Sequence, residues 1–174
     1  MPFQSINPFD FKLLQEFPEF SADQIEASVS QADKAFALWR KKTISERAKY
    51  FLNLAQVLKT DTDRLAKLMT LEMGKLFTEA QAEILKCATC CEYYVENAEK
   101  FLADQEIKTD AYKSFVSYQP LGTVLAIMPW NFPFWQVIRF AVPTMMAGNT
   151  AILKHSSNVS ECALEIEKLF LKAG

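Results

Sequence analysis

The chain has 174 residues, half of them hydrophobic and 23% charged, which is typical of a globular domain with a sizeable core. Nineteen basic and 21 acidic residues leave a formal net charge of −2, so there is no basic surplus for binding nucleic acid. The N-terminal sequence MPFQSINPFDFKLLQEF lacks the basic and apolar segments of a secretory signal. We therefore expect a cytoplasmic protein that has no nucleic-acid partner.

An uncharged stretch at residues 114–138 is long enough to span a bilayer. It contains three prolines and three amide side chains, and their polar groups would be left unpaired in lipid. A buried strand, a turn and a helix of a globular protein explain this stretch better. We therefore expect no association with a membrane.

The first hundred residues are predicted to be mostly amphipathic helix, after an irregular arm at residues 1–20. Ser21 is a suitable N-cap, Thr43 and Glu46 have capping-box spacing, and Gly74 is a natural C-cap. The predicted helices cover about 21–41, 43–58, 61–73 and 78–103. The apolar faces of the first two helices are Ile25, Val29, Ala32, Phe36 and Trp39, and Ala48, Phe51, Leu52, Ala55 and Leu58.

The second part of the chain changes character and is rich in strand-forming residues. Residues 107–119 alternate, which predicts one or two exposed strands. The apolar run Gly122–Met128 is typical of a parallel strand buried on both faces. The pattern then predicts a buried helix at 133–147 that Pro143 breaks or bends, a Gly148-Asn149 turn, a buried strand at Thr150–Lys154 and a helix capped by Ser160.

The fold class is therefore α/β, with N-terminal helices followed by the first β-α-β-α of a doubly wound, Rossmann-like domain. Such a domain needs more than two strands. We therefore expect residues 1–174 to be an incomplete N-terminal portion of a larger protein.

The most specific pattern lies between Leu121 and Lys154. It comprises the motif PWNFP at residues 129–133, the turn AGNT at residues 147–150, and Lys154 itself. With EMGK at residues 72–75, this pattern resembles the aldehyde dehydrogenase superfamily over nearly the whole chain. Within that superfamily the chain is most similar to bacterial succinate-semialdehyde dehydrogenases.

This resemblance implies an enzyme that oxidises a semialdehyde with NADP or NAD. In the family a cysteine thiolate attacks the aldehyde, the thiohemiacetal passes hydride to nicotinamide, and water releases the acid. The nucleophile, the general base and a Gly-rich cofactor turn lie downstream in the family, so the catalytic domain is expected to be absent and the 174 residues inactive alone. The resemblance also implies that residues 107–119 are oligomerisation strands of a homodimer or homotetramer.

Asn131 is the candidate catalytic residue. Its position after a strand end is where open α/β sheets place ligands, and a side-chain amide N–H is a suitable donor to an oxyanion. The resemblance implies that it forms half of the oxyanion hole. The alternative is an asparagine that only satisfies a turn.

The resemblance implies that the residues at two strand ends bind the cofactor. Lys154 would bind a ribose hydroxyl or phosphate, and Ser157, where NAD-preferring relatives carry glutamate, leaves room for a 2′-phosphate. NADP use is therefore expected. The alternatives are a solvated lysine, a surface or capping histidine at His155 and a simple turn serine. The implied set is Ile127, Met128, Pro129, Trp130, Asn131, Lys154, His155, Ser156 and Ser157.

Phe132, Trp135 and Arg139 are the candidate substrate-binding residues, with Gln136 beside them. By resemblance, Arg139 binds the distal carboxylate of the substrate, for which a bidentate guanidinium is well suited. The alternatives are an arginine paired with a structural carboxylate and, for the aromatic residues, plain core packing.

The cysteines at positions 87, 90 and 91 fall on one helix face, but a fourth metal ligand is missing nearby, so no metal site is expected. Two other functions stay open. The chain could be a non-catalytic nucleotide-binding or assembly module, or the substrate could be glutarate semialdehyde or an uncharged aldehyde.

Overall fold

The computed structural model describes residues 2–174 and confirms the α/β fold. Within this range the helices are α1 Ala22–Trp39, α2 Ile44–Thr60, α3 Thr62–Met73, α4 Phe77–Leu102, α5 Pro133–Met146 and α6 Ser160–Lys172. The strands are β1 Phe3–Ile6, β2 Leu13–Phe17, β3 Gln105–Glu106, β4 Phe115–Val116, β5 Thr123–Ile127 and β6 Thr150–Lys154. Across the same residues, no helix is both long and apolar enough to cross a membrane.

Local capping residues begin α1 and α2 and end α3 where the sequence predicts. The Ser21 hydroxyl accepts the backbone N–H of Gln24 at 3.2 Å, and the Gln24 side chain accepts the N–H of Ser21 at 2.8 Å. Thr43 and Glu46 form the same reciprocal pair at the start of α2. Gly74 ends α3 with a φ of 73°, a left-handed conformation that glycine adopts without steric cost.

The hydrophobic core lies between α2, α3, α4, α5 and α6. Its largest fully buried side chains are Phe51, Phe134, Leu54, Leu58, Leu65, Met69, Ile84, Ile138, Met146 and Leu169. The predicted face of α2 is confirmed except at Leu52, which is 48% exposed, because α4 and α5 cover the opposite side of α2.

Helix α1 is less buried than its apolar pattern predicts. None of its residues is fully buried, and Ile25 and Val29 are about half exposed. Its attachment to the rest of the chain is partly polar. The Trp39 indole donates to the Met145 carbonyl at 2.9 Å, and the Thr150 hydroxyl donates to the Ala32 carbonyl at 3.1 Å.

The prediction of an irregular arm at residues 1–20 is wrong for residues 3–17, which form a β-hairpin. β1 and β2 pair in antiparallel register, with Phe3 opposite Phe17 and Gln4 opposite Glu16. The turn between them is closed by backbone bonds between Asn7 and Lys12 and between Phe11 and Asn7. Met1 lies outside the described residues. Apolar side chains on both faces of this hairpin hide the alternation from which a strand is predicted.

The strand prediction for residues 107–119 is confirmed only at Phe115–Val116, since the partner strand β3 lies just before this segment. β3 begins before this segment, and Gln105 pairs with Val116 and Glu106 with Phe115. The intervening residues form a loop that is mostly exposed. Cross-strand pairing therefore supports only two residues on each side.

β5 and β6 form the expected parallel pair, in register from Thr123 opposite Thr150 to Ile127 opposite Lys154. The prediction that β5 is buried on both faces is wrong, since Leu125 is 61% and Ile127 is 70% exposed. Helix α5 covers one side of the pair, and the described residues place nothing over the exposed side chains.

Two predictions about helix ends are also corrected: Pro143 does not break α5, and Ser160 does not cap α6. Pro143 lies within α5, which continues to Met146; the proline removes one hydrogen-bond donor near the end of the helix, where the loss is tolerated. Ser160 is the first residue of α6 rather than its cap, and its hydroxyl donates to the Ser157 carbonyl at 2.8 Å.

The predicted Gly148-Asn149 turn joins α5 to β6. Gly148 has a φ of 95°, and a Cβ there would lie 3.0 Å from the buried guanidinium of Arg47. The Asn149 side-chain oxygen accepts the N–H groups of Leu121 and Gly122 at 2.7 and 3.1 Å. Its amide donates to the Thr144 carbonyl at 3.1 Å. The turn therefore sets the register of both strands.

Candidate functional site

The carboxyl ends of β5 and β6 form the candidate site, because parallel strands bring their ends to one edge of the sheet. The N–H of Met128 donates to the Lys154 carbonyl at 3.0 Å, which extends the parallel pairing beyond β5. The PWNFP loop follows β5, and residues 155–157 follow β6. The two loops that carry the predicted site residues therefore lie side by side.

Asn131 lies in the first loop with an exposed side chain. Among residues 2–174 its amide makes no hydrogen bond. Asn149 shows what a turn-satisfying asparagine looks like in this chain, since it is 8% exposed and makes three bonds to backbone groups. The Asn131 amide is therefore available to a ligand, which argues against the turn role.

The loop that carries Asn131 is held from behind by a buried carboxylate. Glu83 of α4 is 4% exposed, and its Oε1 accepts the N–H groups of Phe134 and Trp135 at 3.0 and 2.9 Å. Its Oε2 pairs with the ammonium of Lys75. The same ammonium lies 3.7 Å from the centre of the Phe132 ring. A buried charge that is paired in this way fixes the N-terminus of α5.

A second buried carboxylate holds the helix after β6. Glu72 is 3% exposed, and its two oxygens accept the N–H groups of Glu161 and Cys162 at 2.9 and 2.8 Å. Anions are stabilised at helix N-termini by the free N–H groups and the helix dipole. Because Glu72 and Glu83 already bond these N–H groups, the same groups of α6 and α5 are not free to bind a cofactor phosphate.

His155 connects the two loops. Its Nε2 lies 3.0 Å from the Pro133 carbonyl, and its Nδ1 accepts the N–H of Ser156 at 2.8 Å. This pattern requires a neutral ring that is protonated on Nε2. Burial lowers the pKa of His155, although its bond to the Pro133 carbonyl partly opposes this effect. The ring therefore links the two loops through its hydrogen bonds to backbone groups of both.

The other predicted cofactor residues include exposed apolar side chains at and after the end of β5 and polar side chains at and after the end of β6. Ile127, Pro129 and Trp130 are exposed, with Trp130 50% accessible. Lys154 is exposed and makes no ion pair with the residues the structure describes. Ser157 is exposed in a short 3₁₀ helix three residues later. These groups fit a nucleotide with a phosphorylated ribose.

The Ser156 hydroxyl donates to the Asn158 side-chain oxygen at 2.7 Å. This bond shapes the loop after β6, which leaves the Ser156 hydroxyl less free to bind a ligand than that of Ser157. Its role as a cofactor residue stays a prediction.

The predicted substrate residues lie on and just before α5. Phe132 is 43% exposed, and Trp135 is half-buried, with one part packed on the core. The Lys86 ammonium lies 4.0 Å from the Trp135 ring centre, and both line a shallow groove along α4. Arg139 is exposed one turn after Trp135, and within the described range no carboxylate pairs with it. The structural ion pair considered for Arg139 is therefore not formed within these residues.

The four cysteines are free and buried. Burial raises the pKa of each thiol, namely Cys87, Cys90, Cys91 and Cys162. A nucleophilic or metal-binding cysteine needs the thiolate, which these environments disfavour. The described part of the chain contains no cluster of three potential metal ligands.

The roles of the two capping glutamates, Glu72 and Glu83, and of Lys75 were not predicted from the sequence. One signal was present for Glu83, which interrupts the buried face of α4 between Ala80 and Cys87. A lone charge at such a position needs a partner. The partner, however, is a set of backbone groups 51 and 52 residues away, which no local pattern identifies.

Comparison with known proteins gives one consistent result. The model of the aldehyde dehydrogenase family matches residues 1–174. A probable NADP+ succinate-semialdehyde dehydrogenase of Synechocystis sp. is 46% identical over 174 residues, which cover all of this chain and 38% of that protein. Succinate-semialdehyde dehydrogenase 1 of Mycobacterium tuberculosis, also named for NADP+, is 43% identical and is covered to 39%. The chain thus spans less than half the length of these relatives.

Solved structures agree with the sequence relatives. A succinic semialdehyde dehydrogenase from Streptococcus pyogenes, in complex with NADP+, superposes with a TM-score of 0.95 at 35% identity. The match covers 99% of this chain and 38% of that one. Both the resemblance and the fold expected from it are confirmed: the chain belongs to the aldehyde dehydrogenase family.

Proposed function

We propose that these residues form the N-terminal, cofactor-binding portion of an NADP-using dehydrogenase that oxidises succinic semialdehyde to the acid. The observation that carries the proposal is the Asn131 amide at the carboxyl edge of β5 and β6, which makes no hydrogen bond within residues 2–174, together with Lys154 at the end of β6, which makes no ion pair within the same range. The names of the relatives support the substrate and the cofactor.

In the proposed reaction Asn131 donates its side-chain N–H to the oxyanion that forms when a cysteine thiolate, outside these residues, attacks the aldehyde carbon. Such a donor is worth about 10²–10³-fold in kcat. The bound nicotinamide supplies the hydride acceptor, so that the aldehyde carbon is oxidised to a thioester, and water then releases the acid. Pro133 and the Glu83 cap keep the loop of Asn131 fixed during these steps.

On the cofactor side, Lys154 would pair with ribose and phosphate oxygens, and the Ser157 hydroxyl would accommodate the 2′-phosphate. The exposed side chains of Ile127, Pro129 and Trp130 form the apolar surface on which the nucleotide would lie. His155 contributes by fixing the loop, since both of its ring nitrogens already bond to backbone groups.

On the substrate side, we assign the distal carboxylate to Arg139. Its guanidinium is exposed and has no carboxylate partner among residues 2–174, so it can form two parallel bonds to a substrate carboxylate. Phe132 and Trp135 would pack along the methylene chain.

The test is steady-state kinetics of the full-length protein with succinic semialdehyde and with an uncharged aldehyde of similar length. Arg139→Leu is expected to raise KM for succinic semialdehyde about 100-fold, the loss of a charge-assisted pair, and to leave KM for the uncharged aldehyde nearly unchanged. Arg40→Leu is the matched control, because Arg40 is exposed and stacks 5.3 Å from Phe36, away from the site. Equal effects of Arg139→Leu on both substrates would refute the assignment.

A non-catalytic assembly role has one observation in its favour. The β3–β4 hairpin exposes Phe115, Val116 and Tyr118 to about half of their surface, and exposed strand edges can pair with another chain. In the dehydrogenase proposal the same hairpin joins subunits of a homodimer or homotetramer. An intact mass of the purified protein well above 19.8 kDa, with a cysteine and a glutamate encoded past Gly174, favours the enzyme; a mass of 19.8 kDa favours the assembly module.

A further inference from the structure

Two buried glutamates, Glu72 and Glu83, stand behind the two halves of the candidate site. Each comes from the helical layer and each accepts two consecutive backbone N–H groups at the start of a helix that follows a strand. Burying a carboxylate is costly unless its oxygens are fully bonded. We therefore expect these two carboxylates to have a role other than packing.

Glu83 is tied to the loop of Asn131 twice. Its Oε1 holds the N–H groups of Phe134 and Trp135, and its Oε2 pairs with Lys75, whose side chain is only 8% exposed. The Lys75 ammonium also lies over the ring of Phe132, the residue next to Asn131. The chain is thus held on both sides of the Phe132–Pro133 peptide bond, by the cation–π contact before it and by the Glu83 hydrogen bonds after it.

Glu72 is tied to the other loop. It bonds the N–H groups of Glu161 and Cys162, directly after the 3₁₀ helix that contains Ser157. Within the described residues no lysine or arginine pairs with it. Among the described residues, the Glu72 carboxylate is hydrogen-bonded to α6, and its charge also acts on His155 in the loop after β6.

We propose that Glu83 with Lys75 is the positioning pair for the Asn131 loop, and that Glu72 is the positioning residue for the Ser157 loop. The two carboxylates would then tune separate steps, the first the reaction of the aldehyde and the second the binding of the cofactor. This inference rests on the proposed function, because it assumes that Asn131 meets the oxyanion and Ser157 the 2′-phosphate.

The experiment compares Glu83→Gln and Glu72→Gln in the full-length enzyme, with Glu99→Gln on the exposed side of α4 as the matched control. Two quantities are measured: kcat/KM for the aldehyde at saturating cofactor, and Kd for NADPH from fluorescence. Glu83→Gln is expected to lower kcat/KM about tenfold or more, since small misplacements of a reacting group are that costly, and to change Kd far less. Glu72→Gln is expected to raise Kd for NADPH and to change kcat/KM far less.

A merely structural role would move both quantities together in each variant, and that result, or an unchanged kcat/KM in Glu83→Gln, overturns the proposal. If Glu83→Gln does not fold, Lys75→Met decides in its place: kcat/KM must fall and Lys75→Arg must recover part of it. Asn131→Ala separates the two levels of inference. If Asn131→Ala leaves kcat/KM intact, the assigned function of the site fails. If Asn131→Ala lowers kcat/KM while Glu83→Gln leaves it unchanged, only the positioning role of Glu83 is refuted.

Discussion

Replacing Ser157 by glutamate tests the cofactor assignment most directly. Ser157 is exposed, and Lys154 three residues earlier has no ion-pair partner in the described range. A carboxylate at position 157 would lie near a bound 2′-phosphate, which carries almost two negative charges near neutral pH. In water-like surroundings, charges about 5 Å apart repel by about 0.8 kcal/mol per unit pair, hence about 1.7 kcal/mol in total.

That repulsion corresponds to a loss of NADPH affinity of about 15–20-fold. The new carboxylate also competes for Lys154, which adds to the loss, while salt screens part of the repulsion. NADH lacks the phosphate and can bond its ribose hydroxyls to the glutamate, so its affinity should hold or rise. Titration of the full-length protein with NADPH and NADH by fluorescence gives both Kd values.

The matched control is Ser157→Gln, which has the same size as glutamate but no charge. If glutamate weakens NADPH binding no more than glutamine does, electrostatic repulsion is absent and Ser157 does not face the 2′-phosphate. If both variants weaken NADPH and NADH equally, the residue shapes the loop and does not select the cofactor.

Two further predictions concern the frame of the site. Asn149→Ala removes the acceptor for two backbone N–H groups and should lower the free energy of unfolding by about 1–3 kcal/mol, as measured by urea denaturation; Asn149→Asp, which keeps the acceptor, should lose less, and equal losses would contradict the reasoning. Because burial lowers the pKa of His155, its neutral ring adds stability above its unfolded pKa of about 6.5, and this is lost as pH falls through the folded value. The melting-temperature advantage of the wild type over His155→Gln should therefore shrink between about pH 8 and about pH 5, and a constant advantage would show that the ring is not held neutral.

The elements set by local chemistry were predictable from the sequence. Ser21 and Thr43 start helices because their hydroxyls accept nearby N–H groups, and Gly74 ends one because it adopts a left-handed φ. The strands after position 120 were predictable because apolar runs bounded by turn residues favour them. In each case the deciding interaction spans only a few residues.

Features set by distant partners were not predictable. The hairpin at residues 3–17 forms although neither strand alternates clearly, because antiparallel pairing across a short turn supplies the hydrogen bonds. Ser160 looked like a cap from sequence alone, but the α6 N-terminus is bonded to Glu72, which lies 89 and 90 residues earlier. A carboxylate from another layer outcompeted the local hydroxyl because it bonds two N–H groups at once.

The filled helix N-termini also bear on where the cofactor can be held. In many doubly wound domains, the helix after the first strand offers its free N–H groups to a pyrophosphate. Here the corresponding N–H groups of α5 already bond Glu83, and those of α6 bond Glu72. A second anion at either end would meet a buried negative charge at close range. If the proposed function is correct, this portion of the chain binds the ribose and the reacting end of the cofactor, and the pyrophosphate is held by groups other than these two helix N-termini.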